Sequence, residues 1–129
     1  MKALLILTAI VEAGAGLALL GFPSETSSLL LGAPIDRAAA LSLVRVGGAA
    51  VLGLAIACWQ GRHDENSPAL RGLVASMLFY NVAVGAVLAL ASIADELHGL
   101  LLWPAVVFHA AMGIWCIMSL RREGQGVLR

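Results

Sequence analysis

Four side chains interrupt four long apolar runs of this sequence: Glu12, Arg45, Asn81 and His109. A carboxylate and an imidazole can exchange a proton. A guanidinium can hold an anion, and an amide both donates and accepts hydrogen bonds. These types point to two kinds of arrangement. One is a proton-handling or ligand-binding site to which all four contribute. The other is a structural network in which Glu12 and Arg45 form a buried ion pair and Asn81 and His109 complete its hydrogen bonds, fixing register without any reaction.

The spacing around them repeats. Glu12 is followed four residues later by Gly16, Asn81 by Gly85 and His109 by Gly113, while Arg45 is followed three residues later by Gly48. Residues three or four apart share a helix face. Each polar group therefore has a notch without a side chain one turn away. Such notches let helices approach closely or leave room for a small ligand, so Gly16, Gly48, Gly85 and Gly113 are expected to line the site.

The elements that must position these groups follow from composition. The chain has 129 residues, of which 60% are hydrophobic and 12% charged, with a mean hydropathy of +0.93. Soluble domains run near 45–50% apolar and about 25% charged. One domain of this size cannot hide that much apolar surface from water. A soluble enzyme, a disordered chain and a disulfide scaffold are excluded. The formal net charge is +0, so nothing electrostatic suggests nucleic acid.

Four apolar stretches, over 3–21, 37–60, 68–92 and 99–120, each approach the ~20 residues a helix needs to cross a ~30 Å hydrocarbon core. Period-two alternation is absent, which argues against a membrane barrel. The reading is an all-α, integral membrane four-helix bundle forming a single domain. The segment around Ser24–Leu31 reads as a short interfacial helix between the first two spans. Ser24, Asp36 and Ser67 are expected N-caps, the last with Pro68 at the first helical position, and Gly124 an expected stop. Trp59 and Trp103 fall near helix ends, where indole favours the headgroup level.

Orientation follows from the basic residues. With the N-terminus inside, Lys2, Arg62, Arg71, Arg121, Arg122 and Arg129 lie on the cytoplasmic side and only Arg37 opposite. That bias gives an N-in, C-in topology. In it all four polar groups fall roughly 15–18 Å from the cytoplasmic face. Lys2, the run Ala3–Val11 and Ala13-Gly14-Ala15 mimic a cleaved signal peptide, but Glu12 interrupts the run and apolar sequence resumes through Leu20.

Other residues read as structural. Tyr80 is placed on a different face from Asn81 as an interface or packing ring, and Trp115 in the core. Cys58 and Cys116 read as buried thiols, able to pair only if the second and fourth spans are neighbours. His98 lies three turns from His109, about 16.5 Å away and too far to share a metal.

Four spans in about 130 residues, the string Leu43-Val44-Arg45-Val46-Gly47-Gly48 in the second span and Pro23 after the first together resemble the DoxX-like group of small bacterial four-helix membrane proteins. The resemblance implies the fold and, through some relatives, a link to redox or sulfur metabolism. Where that group carries an arginine in the first span, this chain carries Glu12.

The expected protein is a multi-pass component of the bacterial inner membrane, without a catalytic motif, acting as a binding or accessory subunit. Beyond the lipid bilayer, its expected partner is a second copy or another membrane protein. The alternative is a proton-coupled small-molecule transporter or channel working as an oligomer. A quinone- or haem-linked redox protein ranks third, because bis-histidine ligation at mid-membrane needs two histidines and only His109 qualifies. No cofactor or metal is called for.

Overall fold

The computed structural model describes residues 1–65 and 67–126 and consists of five helices in chain order. They are α1 (Lys2–Gly21), α2 (Pro23–Leu31), α3 (Ala38–Gly61), α4 (Pro68–Ala94) and α5 (Leu102–Gly126). No strand occurs among the described residues. Four of the helices, α1, α3, α4 and the Leu102–Arg122 part of α5, are long and apolar enough to cross a membrane. The outward surface agrees. Phe79, Leu43 and Ile93 are exposed at 76%, 73% and 71%, a distribution that water penalises and hydrocarbon does not. The chain is a small membrane protein with four candidate spans.

The short helix between the first two spans is present as α2. Its start differs from the expected one. Pro23 occupies the first turn and Phe22 the cap position without a side-chain bond. The Ser24 hydroxyl instead donates to Ile35 O at 3.1 Å, closing the loop that returns to α3. Asp36 does not cap α3 either; Arg37 takes that position in extended backbone, with no side-chain bond to the helix. Ser67 does cap α4, its Oγ accepting from Leu70 N at 3.1 Å. Asp64 in turn accepts from the Ser67 amide and hydroxyl. The last helix begins at Leu102, later than the apolar run suggests, and continues past Gly124 to Gly126. Arg129, counted on the cytoplasmic side, lies outside the described residues.

α2 ends at Gly32, which adopts a left-handed φ of +78°. A Cβ there would lie 2.8 Å from the His98 backbone, so the turn needs glycine for both conformation and space. Gly99 presses in the same way against Leu30, and Leu101 N donates to Leu29 O at 2.9 Å. The loop between α4 and α5 is thereby fastened to α2.

The long helices pack as two close pairs, α1 with α3 and α4 with α5. Side chains from all four meet in a core of Leu4, Leu5, Ala9, Cys58, Leu70, Val74, Met77, Met112 and Cys116. This core gathers at the end of the molecule holding the start of α1, the end of α3 and the start of α4. Both cysteines are buried free thiols there, and the Cys58 thiol donates to Met77 Sδ at 3.5 Å. Trp115 is not in the core; it is 37% exposed and faces outward, where lipid accepts an indole at no burial cost. Trp59 and Trp103 are also exposed, and the Arg62 guanidinium lies 3.9 Å over the Trp59 ring.

Candidate functional site

Three of the four expected polar residues are buried. Glu12 on α1 is 3% exposed, Asn81 on α4 2% and His109 on α5 9%. They are joined by Tyr80, which does more than serve as the interface or packing ring that its different helix face suggested. Its hydroxyl donates to Glu12 Oε2 at 2.9 Å. Its ring meets His109 edge-on, with centroids 5.6 Å apart and planes at 77°. Neighbouring positions on α4 thus face two partners, with Asn81 turned to α5 and Tyr80 to α1. The signal for Tyr80 lay in Glu12 itself: a carboxyl buried in a span needs a donor, and this is the only tyrosine of the chain.

His109 is held on several sides. Its Nδ1 lies 2.9 Å from Asn81 Oδ1, and the Phe108 ring meets it edge-on at 5.7 Å. Asn81 Nδ2 donates to Met77 O at 2.8 Å, which fixes the amide orientation. Asn81 Oδ1 is then an acceptor, and the proton between the two residues belongs to His109 Nδ1. In the neutral ring, Nε2 is left as an acceptor. It makes no hydrogen bond among the described residues.

Arg45 is not part of this cluster. It is exposed on the flank of α3, and no ion pair between it and Glu12 forms. The reason is visible one turn along. A Cβ on Gly48 would lie 2.9 Å from Leu19 Cβ and 3.0 Å from Gly16 O. One on Gly16 would lie 2.7 Å from Leu52 Cγ and 2.9 Å from Gly48 O. α1 and α3 therefore meet nearly backbone to backbone, with no space for a guanidinium between them. The buried residues of α3 are Gly48, Ala55 and Cys58, and Arg45 stays exposed one turn before the first of them. Gly16 and Gly48 close this interface and do not line a site.

Gly85 and Gly113 border a groove instead. This groove of about 280 Å³ runs between α4 and α5, bordered by Asn81, His109 and both glycines. Its remaining walls are apolar and include Leu78, Val82 and Ile114. A larger groove of about 420 Å³ lies between α1 and α3, beside Ala13, Ala55 and Trp59, but none of the polar cluster reaches it. One further polar atom escaped the sequence reading. The Thr8 hydroxyl, one turn before Glu12, is buried without a partner. Among the described residues, no group of three His, Cys, Asp or Glu side chains could hold a metal ion.

Taken together, the side chains form a path: groove, Asn81 and His109, Tyr80, Glu12. One end is reachable from outside the helix pair and the other is a buried carboxyl. Such a path can hold a ligand at the open end and register its arrival at the buried one. No protein-family model, curated protein or solved structure matches the chain.

Proposed function

We propose that this chain is a binding or accessory subunit of the bacterial inner membrane with both termini cytoplasmic. Its working part is the polar path from Asn81 and His109 through Tyr80 to Glu12. The observation that carries this reading is the Tyr80–Glu12 hydrogen bond at 2.9 Å, made by the same ring that touches His109 at 5.6 Å. A network serving only to fix helix register would be expected to seal its polar atoms. This one leaves His109 and Asn81 bordering an open groove. The weighting of basic residues toward one side supports the topology. The DoxX-like resemblance fits a bacterial membrane location.

A second reading is supported by Glu12 itself. A titratable group in the interior of four spans suits a proton-coupled transporter assembled from several copies.

The test uses the full chain taken from bacterial membranes into lipid nanodiscs. Mass spectrometry of the solvent extract should find a small molecule beyond the bilayer lipids. His109→Gln, folded with an unchanged melting temperature, should lose it. Identical extracts from the two would overturn the binding reading. Proton flux in reconstituted vesicles that disappears in Glu12→Gln would move the assignment to the transporter.

A further inference from the structure

We propose that the groove between α4 and α5 takes a lipid-soluble small molecule with a slim apolar body and one hydroxyl, and that this hydroxyl donates to His109 Nε2. The inference rests on the binding reading above and adds the chemical class of the ligand and its route.

The walls set the body. Apart from Asn81 and His109 they are carbon, with Leu78, Val82, Ile114 and Ile117 among them. An apolar cavity of about 150 Å³ holds benzene. A groove of about 280 Å³ therefore admits something larger than a single ring. Its rim sets the route. Val82 and Ile114 are each 60% exposed on the outer surface of the helix pair, within two candidate spans. In a bilayer that surface meets acyl chains, so the guest arrives sideways from lipid and must itself dissolve there.

The histidine sets the headgroup. Thr8 Oγ1 is the only fully buried side-chain nitrogen or oxygen without a partner among the described residues. His109 Nε2 makes no hydrogen bond either, and His109 is one of the two polar residues that border the groove. Water does not satisfy an acceptor in hydrocarbon, and leaving it unmet is costly. The Asn81 amide reserves the ring's proton for Nδ1, so the complement to Nε2 is a donor. One unmet acceptor among apolar walls calls for one O–H.

The glycines keep the space. A Cβ on Gly85 would lie 3.5 Å from His109 Cβ, and one on Gly113 would have nothing closer than 3.9 Å. Both are ordinary contact distances. The helix packing therefore admits alanine at each position, and what alanine would remove is room in the groove.

The experiment uses the full chain in lipid nanodiscs with ¹⁵N-labelled histidine. The probes are 1-naphthol and 1-methoxynaphthalene, which differ in the donor. The His109 ring signals are identified by their loss in His109→Gln. 1-Naphthol should shift the Nε2 resonance saturably and bind about tenfold more tightly than the methyl ether, the worth of one hydrogen bond. Gly85→Ala should weaken 1-naphthol by threefold or more while keeping the melting temperature, and Gly113→Leu should abolish its binding. Equal affinities for the two probes, or an unmoved His109 ring, would overturn the proposal. So would a self-association of the wild type that excludes the probe and is lost in Gly113→Leu, since the groove would then be a seam between copies. A native small molecule that co-purifies while 1-naphthol fails would refute the ligand class and leave the binding reading standing; failure of both would remove both.

Discussion

α1 and α3 meet through Gly16 and Gly48, each against the other's backbone, whereas α4 and α5 carry Gly85 and Gly113 at the same kind of position and keep a groove beside them. The local pattern is shared: a polar residue with a glycine one turn on. The outcome is set by what stands opposite. Glycine facing glycine removes both side chains and lets the backbones close. Gly85 faces the His109 side chain, and Gly113 faces Leu78, Asn81 and Val82. Those side chains hold the helices apart and leave the volume. One pair is a strut and the other holds the groove.

The strongest way to break this comparison is to put a side chain into the strut. Gly48→Val should destabilise the protein by about 3 kcal/mol, the upper end of ordinary overpacking costs, read by denaturant unfolding in detergent. A tolerated valine would mean that α1 and α3 are not in backbone contact. Next comes the link between the two pairs. Tyr80→Phe removes the donor to a buried carboxyl and should cost about 2 kcal/mol. Glu12→Gln keeps an acceptor for Tyr80 and should cost under about 1 kcal/mol. If the glutamine were the more damaging change, Glu12 would be held by a cation and not by Tyr80.

Smaller effects sharpen the contrast. Arg45→Gln removes an exposed charge from a candidate span and should not destabilise the protein. Breaking a buried pair with Glu12 would cost about 3–5 kcal/mol, so the measurement separates the two placements of Arg45 cleanly. Gly113→Ala should be smallest of all, within about 0.5 kcal/mol of the wild type, because its Cβ enters open volume. A loss like that of Gly48→Val would show that the two glycine pairs do the same job.

The helices were legible because each span needs an unbroken apolar run, and such runs are hard to mistake. α2 was legible from a proline and a polar cluster between two spans, and the Ser67 cap from its Ser-Pro pair. Ser24 misled because a capping side chain has other acceptors within reach, and it found Ile35 O; Asp36 misled because α3 starts one residue later, behind Arg37. The position of each polar residue along its own helix could be counted. Their neighbours could not, because periodicity fixes a face but not which helix lies against it. That is why Arg45 was assigned to a cluster it does not enter, and why Tyr80, next in sequence to Asn81, was read as packing. Trp115 shows the same limit in lipid, where an apolar side chain carries no sign of whether it points in or out.

The central claim is that the open groove and the buried carboxyl are two ends of one path through Tyr80. It is tested most directly by the ¹³C resonance of the Glu12 carboxyl in glutamate-labelled protein, assigned through Glu12→Gln, while 1-naphthol fills the groove. The account expects the resonance to move as His109 saturates, and to stay still in Tyr80→Phe although the probe still binds. A Glu12 signal that ignores an occupied groove in the wild type, or that moves equally without the Tyr80 hydroxyl, would contradict it.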